Sequence, residues 1–284
     1  MIWGVFLGAS VMAQALAHIL SRAFMRRAEH DTWAYAANSQ ILTAGVVGLY
    51  VLLSGQFELP PILDLWPWFL MTIVLNVVAN IAQFEALKTA EASSFTIFAS
   101  FRVLVSMLAA VLLIHEVVTL WQAIGAVVMI AAITIAFSHR LSFQYHPWML
   151  PASLYALSSG LVFIGDARLV AESPSVATYM IFAFGLPGVA TACIRPRILP
   201  AMLAIARSRE ILPMIGFSAV YGFMAVTLWL AYQAGADASQ MAPIRQASII
   251  LTIVLALIFL KERDHIPQKI AATILAVIAV SLIV

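Results

Sequence analysis

Charged residues are scarce in this chain, and cysteine is almost absent. Asp, Glu, Lys and Arg make up 10% of the 284 residues, against about 25% in soluble domains, and the mean hydropathy is +1.01. Cys193 is the single cysteine, which excludes a disulfide framework and a cysteine metal centre. The net charge of +2 lacks the basic excess expected of a nucleic-acid-binding protein. The composition indicates an integral membrane protein with no nucleic-acid partner.

Sequence motifs for catalysis are also absent. Neither G-x-S-x-G nor H-E-x-x-H occurs, and His18 has no acidic residue at helical spacing. An intramembrane enzyme is therefore a remote alternative. We predict no enzymatic activity, no cofactor and no bound metal.

Apolar runs long enough to cross a membrane fill most of the sequence. About 20 apolar residues span the ~30 Å hydrocarbon layer of a bilayer. Windows of this size occur at 2–21, 33–54, 67–87, 92–114, 118–138, 147–167, 175–194, 211–231, 238–260 and 267–284. The sequence thus predicts an all-α protein with ten transmembrane helices embedded in the lipid bilayer.

The second half of the chain repeats the first half at an offset of 146 residues. Glu85–Ser93 aligns with Ala231–Ser239 without a gap, and the register holds to the last residue. Each copy contains five spans, an odd number, so the second copy enters the membrane from the opposite side. We predict two inverted five-helix repeats, 1–138 and 147–284, with the site at their interface near the membrane midplane.

Basic residues are distributed unevenly over the loops. The odd-numbered loops hold twelve Lys and Arg residues, whereas the even-numbered loops hold only Arg168. By the positive-inside rule the odd-numbered loops are cytoplasmic, and both termini are periplasmic. The predicted location is the cell inner membrane.

The fourth span of each half is framed by the same residue types. The framing residues are Ala90, Ala92, Ser93 and Leu113–Glu116 in the first half, and Ala236, Ala238, Ser239 and Leu260–Glu262 in the second. With a Gln-opened fifth span, this pattern resembles the EamA branch of the drug/metabolite transporter superfamily over nearly the whole chain. The resemblance implies transport of small metabolites such as amino acids, drugs or sugar derivatives. It also implies that the fourth span of each half lines the path.

Two arginines lie deep within predicted spans. Arg102 is near the middle of the fourth span, and Arg245 lies in the ninth. An ionisable group there costs at least ~2.5–3.5 kcal/mol on insertion scales, so it faces the interior. We interpret the pair, with Ser248 one turn beyond Arg245, as a binding site for a carboxylate or phosphate. Internal ion pairs with Glu91 or Asp237, or with Glu85, are the alternative.

Asparagine and glutamine side chains form a stripe on the third span. Asn76, Asn80 and Gln83 share one helical face with Thr72. Lipid cannot satisfy these amides, so the face meets protein or water. The pattern predicts a cavity wall for a polar ligand, with interhelical hydrogen bonding as the alternative.

Shorter polar stripes occur on the first two spans. Ser10, Gln14 and His18 recur at a spacing of four, and Asn38 with Tyr35 lies in the second span. We include Gln14, His18 and Asn38 among the substrate-binding candidates. Tyr221 and Trp229, by contrast, fit ordinary helix packing.

Three titratable residues are candidates for carrying a coupled proton. His18 titrates near neutral pH in its ordinary state, although a neutral imidazole bonded to a neighbouring helix is the interpretation we favour. Glu85 lies three residues before Lys88, and Asp166 lies two before Arg168. For these two acids we favour ion pairs at the ends of spans.

Together the patterns predict a secondary transporter, working by alternating access between the inverted repeats. We expect it to export a small polar, carboxylate-bearing metabolite such as an amino acid or organic acid. A multidrug or cation exporter of the same superfamily is the alternative, but the first span contains no Asp or Glu. We predict a monomer or homodimer.

Overall fold

The computed structural model describes residues 2–25, 31–114, 119–136, 146–236, 238–261 and 266–283. Within these ranges the secondary structure is helical and contains no strand. The helices described there are α1 (Ile2–Met25), α2 (Thr32–Ser54), α3 (Trp66–Thr89), α4 (Ala92–Ala99), α5 (Arg102–Ile114), α6 (Leu120–Ala136), α7 (Met149–Ala171), α8 (Val176–Ile194), α9 (Leu199–Arg207), α10 (Ile211–Gln233), α11 (Ala238–Leu255) and α12 (Ile266–Ile283). A π-helical turn, Ala256–Leu260, continues α11.

Local sequence signals set the ends of several helices. Asp31 before α2 and Ser175 before α8 accept hydrogen bonds from the backbone N–H groups of Trp33 (2.9 Å) and Thr178 (3.3 Å). Gly55 closes α2 with φ 66°, a left-handed conformation that glycine adopts without strain. These signals fix where α2 and α8 begin and where the chain turns back after α2.

Among the described residues, six helices are long and apolar enough to cross a membrane, namely α1, α2, α3, α7, α8 and α10. Large apolar side chains point outwards, including Leu52 (75% exposed), Leu53 (81%) and Leu212 (73%). Apolar exposure on this scale is unfavourable in water but matches lipid hydrocarbon. The chain is therefore a multi-pass membrane protein. The shorter helices α4 to α6, α11 and α12 overlap the remaining predicted spans.

The main helix contacts keep the same pattern when the two halves of the chain are exchanged. α2 lies along α8, and α6 lies along α12; the members of each pair occupy equivalent positions in the predicted repeats. α3 lies along α7, and likewise α10, the counterpart of α3, lies along α1, the counterpart of α7. The most extensive interfaces thus join helices of different halves.

The predicted fourth span is divided into α4 and α5, which differs from the unbroken span 92–114 expected from the sequence. Phe101 N–H donates to the carbonyl of Phe98 (3.1 Å), and Val103 N–H donates to that of Ser100 (3.0 Å). These bonds reach back three residues rather than four, so the helix tightens at this point. Neither Pro nor Gly marks the break in the sequence. The break places Arg102 at the start of α5.

The short helix α9 occurs in the second half only. The residues equivalent to α9 in the first half, 53–61, contain the end of α2 and a segment without helix. α9 is fastened to α2, because Asn38 Nδ2 donates to the carbonyl of Met202 (3.0 Å) and Tyr35 OH donates to Glu210 Oε2 just beyond α9 (2.7 Å). Helix α9 therefore joins the second half to a helix of the first.

Helices α5 and α7 approach each other closely at Gly160. A Cβ atom at this position would lie 2.7 Å from the carbonyl oxygen of Arg102 and 2.7 Å from Cβ of Val105. Real Cβ atoms do not come this near to a neighbour. Only glycine allows the two helix backbones to keep this distance.

Gly160→Ala is expected to destabilise the protein, because the added methyl group must push α7 away from α5. Overpacking of this kind costs ~1–3 kcal/mol, which lowers the melting temperature of the purified protein by several degrees. Gly216→Ala is the matched control, since nothing lies within 4 Å of a Cβ at Gly216. Equal melting temperatures for the two variants would contradict the close contact.

Candidate functional site

A cavity lies between the two halves of the helix bundle, among α3, α5, α7, α8 and α10. Its volume is about 950 Å³, part of which is open to solvent. The space that water-sized molecules can enter is about 100 Å³. This is below the ~300–1,000 Å³ of typical small-molecule sites, so the cavity in this conformation suits a small solute. The polar residues of the lining are Gln40, Asn76, Asn80, Gln83, Arg102, Ser106, Tyr155, Ser159, Asp166, Tyr221 and Arg245.

Three charged residues face this cavity, and each is half-buried: Arg102, Asp166 and Arg245. Within the described part of the chain, none of the three has an oppositely charged group within 4.0 Å. The ion pairs considered for the arginines from the sequence are thus absent there, and Asp237 lies outside the described residues. Two cations and one acid leave the cavity with an excess of positive charge.

The guanidinium of Arg245 is held by neutral groups. Its Nε donates to Oε1 of Gln14 (2.8 Å), and its Nη2 lies 3.6 Å from Sδ of Met224. Gln14 is 2% exposed, so its amide orients the guanidinium without neutralising it. A guanidinium has five N–H donors, and those left over can reach a ligand.

Arg102 enters the cavity from the start of α5. Its Nη1 donates to the hydroxyl oxygen of Tyr155 (3.2 Å). The N–H groups of Val103 and Leu104 donate to the carbonyls of Ser100 and Phe101, in the break between α4 and α5. Because these backbone donors are occupied, the guanidinium, rather than the helix terminus, is the group that can bind an anion here.

Asp166 faces the cavity from α7. Its Oδ1 accepts a hydrogen bond from the hydroxyl of Tyr179 (2.7 Å), which is 1% exposed. The ion pair with Arg168 expected from the sequence is not formed, because Arg168 pairs instead with Glu172 on the exposed surface (3.3 Å). The Asp166 carboxylate is therefore held by one hydroxyl at the cavity wall.

The amide stripe of α3 lies on the cavity wall, with Asn76, Asn80 and Gln83 all in the lining. Asn80 Nδ2 also donates to the carbonyl of Ala36 in α2 (2.8 Å). Nε2 of Gln83 and Oε1 of Gln40 are buried and have no hydrogen-bond partner among the described residues. Buried amide groups are normally paired, so these two are available to a ligand or to water.

The polar stripe of α1 lies outside the cavity lining and joins helices instead. Ser10 donates to a carbonyl of α10 (2.9 Å), and Gln14 accepts from Arg245. Nδ1 of His18 lies 3.1 Å from the hydroxyl of Thr96 in α4. Gln14 thus acts on the cavity only through Arg245. His18 is buried between helices and does not line the cavity.

Three further candidate residues lie away from the cavity. Asn38 points to α9, as described above, and Ser248 is fully buried in α11 with a hydroxyl that has no partner in the described ranges. Glu85 lies on the outer face of α3 and forms no ion pair with Lys88. Helical spacing identifies a shared face, but it does not say which neighbour that face meets.

Several lining residues were not among the candidates. Tyr155 and Ser159 lie four residues apart on α7, and Asp166 follows seven later, so a helical stripe was present in the sequence. Tyr221 and Trp229 of α10 line the cavity as well, so they do more than the ordinary helix packing that the sequence predicts. In the described part of the chain, no group of three His, Cys, Asp or Glu side chains is placed to hold a metal ion.

Asn80→Leu is expected to lower the melting temperature of the purified protein more than Asn76→Leu does. Asn80 donates to α2, and such bonds contribute ~0.6 kcal/mol on average and at most ~1.7 kcal/mol in membrane proteins. Asn76 is half-buried, lines the cavity and makes no such bond with the residues that the structure describes. Both variants should weaken the binding of a polar ligand. Equal stability losses would argue against separate roles for the two amides.

A model of the EamA-like transporter family matches the chain twice, over residues 2–138 and 146–284. A solved structure described as "Crystal structure of protein" is similar in fold, with a TM-score of 0.66 at 16% sequence identity over 97% of this chain and 96% of that chain. No protein with a curated description matches the chain. The two family matches together cover nearly every residue, and the chain therefore belongs to the EamA-like transporter family.

Proposed function

We propose that this protein is a secondary transporter that exports a small polar metabolite bearing a carboxylate, such as an amino acid or organic acid. The observation that carries the proposal is the pair Arg102 and Arg245, which face the cavity with no carboxylate partner in the described ranges. A cation removed from water without a counter-charge is unfavourable, and a bound carboxylate relieves that penalty. The planar guanidinium also matches a carboxylate with two parallel hydrogen bonds.

The neutral side chains of the cavity support a polar solute. Gln40 and Gln83 carry the unpaired buried amide atoms described above, and Asn76 lines the same space. A purely apolar ligand would leave these groups without hydrogen bonds. The aromatic side chains of Tyr221 and Trp229 supply apolar surface for the rest of the solute.

Export of a lipophilic cation is the second candidate function, and Asp166 is the feature that favours it. Asp166 shares the cavity with two arginines, which repel a cation, so we rank an anion or zwitterion first. The remote alternative, an intramembrane enzyme, would need a hydroxyl paired with a histidine base at the cavity. The hydroxyl of Thr96 beside His18 is buried outside the lining.

Asp166 is also the proton-coupling candidate that we favour. Of the three residues considered, His18 is buried among helices and Glu85 lies on the outer face of α3, whereas Asp166 lines the cavity. A carboxylate that lines the cavity can exchange its proton in step with solute binding, whereas a group outside the lining cannot contact the solute.

Alternating access between the halves 1–138 and 147–284 is the mechanism that we propose. The main helix contacts stay the same when the two halves are exchanged, which supports a two-fold relation between the halves. Because each half has an odd number of proposed spans, the second half would cross the membrane in the opposite orientation. We propose ten spans, cytoplasmic odd-numbered loops and periplasmic termini in the inner membrane, as a monomer or homodimer. The uneven distribution of basic residues supports this orientation.

Arg22 and Arg168 occupy equivalent positions in the two halves but make different contacts. Arg22 is 7% exposed, and its Nη1 donates to the carbonyl oxygens of Leu87 and Lys88 at the end of α3. The side chain of Arg168 is 51% exposed and pairs with Glu172, which directly follows its own helix, α7. α1 contacts α3, whereas their counterparts α7 and α10 make at most marginal contact.

This difference supports a gate at each end of the cavity. We propose that Arg22 closes the end where α1 meets α3, and that the end at α7 and α10, which lacks an equivalent contact among the described residues, is the open one. In the opposite conformation, Arg168 would leave Glu172 and donate to the last carbonyls of α10, Gln233 and Ala234, and Arg22 would release α3. Inverted repeats exchange conformations in this way because each can adopt the structure of the other.

Arg245→Gln is expected to raise the dissociation constant for the carboxylate ligand by about ten- to a hundredfold. Hydrogen bonds to charged groups contribute ~1.5–3 kcal/mol, and ~1.4 kcal/mol corresponds to a factor of ten. Arg245→Lys keeps the charge but loses the planar fork, so it should bind with intermediate affinity. The measurement is thermal shift of purified protein with amino acids, organic acids, phosphosugars and cationic dyes, followed by calorimetry.

Arg197→Gln is the matched control for this experiment, because Arg197 is exposed and remote from the cavity lining. It should bind like the wild type. Normal binding by both Arg245 variants, or a true substrate that is a cation without carboxylate or phosphate, would refute the proposed site.

Arg22→Gln and Arg168→Gln are expected to shift the gating equilibrium in opposite directions. The probe is Asn76→Cys in a Cys193→Ser background, labelled in oriented vesicles by a membrane-impermeant thiol reagent. Arg22→Gln should raise several-fold the rate of labelling from the side of the membrane at which α3 ends. The substitution removes the N–H donors that hold α1 against α3 at this side. Arg168→Gln should lower that rate. Shifts in the same direction, or no shift in either variant, would contradict the gate.

A further inference from the structure

A second cavity lies on the outer, lipid-facing side of the bundle between α3, α7 and α8. Its volume is about 1,180 Å³, including the part open to the surroundings. Its α3 wall is the helix face opposite the amide stripe, with Val74, Val78 and Glu85 in the lining. Glu85 is the one charged residue of this lining, and the remaining side chains are apolar apart from the indole N–H of Trp33.

The groove extends over about one leaflet of a bilayer. It runs along α3 from Ile73 to Glu85, twelve residues or ~18 Å of helix, and a leaflet contributes ~15 Å of hydrocarbon. One end lies where α2 begins beside Trp33, α7 begins beside Leu150, and α8 ends at Ile194. Because three helices begin or end there, this mouth lies at the boundary of the membrane.

Groups of opposite charge stand at the mouth. Glu85 is half-buried and forms no hydrogen bond or ion pair with any described residue. Arg195 directly follows the lining residue Ile194, and its guanidinium lies 5.2 Å from the ring centre of Trp33. It pairs with Asp31 (3.0 Å) but remains 45% exposed, so part of its donor set is free for another anion.

We propose that this groove binds a single phospholipid with an amine headgroup, of the phosphatidylethanolamine type. One acyl chain fills the groove, the ammonium group contacts the Glu85 carboxylate, and the phosphate contacts Arg195. The proposal is independent of what the central cavity transports. It gives the carboxylate of Glu85, which forms no ion pair with any described residue, an ammonium partner at the lipid-facing surface.

The selectivity of this site resides in the headgroup. An acyl chain gains little by leaving the bilayer for an apolar groove, since the two environments are equally apolar. Charge-assisted hydrogen bonds at the mouth are stronger than neutral ones, and only a lipid with both ammonium and phosphate satisfies Glu85 and Arg195 together. A lipid with phosphate and hydroxyls alone leaves Glu85 unpaired.

The test uses the full-length protein in bilayers of equal parts phosphatidylethanolamine and phosphatidylglycerol, with the lipid that it retains identified by native mass spectrometry. Wild-type protein should retain one lipid, enriched in the amine-bearing species by about tenfold, as expected for a charge-assisted hydrogen bond. Glu85→Gln should abolish the enrichment. Glu58→Gln, an exposed acid outside this groove, is the matched control and should preserve it.

Two further variants separate the parts of the site. Arg195→Gln should weaken retention of both lipids, because both carry phosphate. Val78→Trp fills the groove and should also reduce both, while the melting temperature reports whether each variant folds. Equal retention of the two lipids by the wild type, an unchanged preference in Glu85→Gln, or a stable dimer that covers the groove and retains no lipid would overturn the proposal.

Discussion

Lipid hydrocarbon offers no hydrogen-bond partner, and this constraint decides where the polar side chains of the bundle lie. Some of them are satisfied by other helices: Ser10 bonds to α10, and His18 lies beside Thr96. Others reach the cavity with bonding capacity left over, as Arg102 and Gln83 do. The first group holds the helices together. The second group defines the place where a polar solute can replace water.

The cavity receives one arginine from the fourth span of each half. Arg102 starts α5 and Arg245 lies in α11, so an anion bound by both would touch both halves of the chain at once. A ligand can shift a conformational equilibrium only through contacts that differ between the two states. Arginines on opposite halves supply such contacts, because any relative movement of the halves changes the distance between them.

Spacing predicted the amide stripe of α3 well, because three amides on one face of a helix cannot all meet lipid. The same reasoning placed Gln14 and His18 at the cavity, where the structure instead packs their side chains against α11 and α4. Periodicity gives the face of a helix, whereas the neighbour of that face is a property of the assembled bundle. The break between α4 and α5 could not be predicted from the sequence for a related reason. No Pro or Gly marks it, and the local feature that accompanies it, Gly160, lies on α7, far away in the sequence.

Helix α9 would make the two proposed conformations of the transporter unequal in free energy. In a protein with two equivalent repeats, the inward- and outward-facing conformations would be related by exchanging the two repeats, and they would be equal in free energy. α9 belongs to the second half only, and it grips α2 through Asn38 and Tyr35. Any movement that separates α8 and α9 from α2 must break those bonds, and no equivalent bonds form on the other side. If the halves alternate as proposed, the empty protein would have a preferred resting side, set by a nine-residue helix that has no helical counterpart at the equivalent positions of the first half.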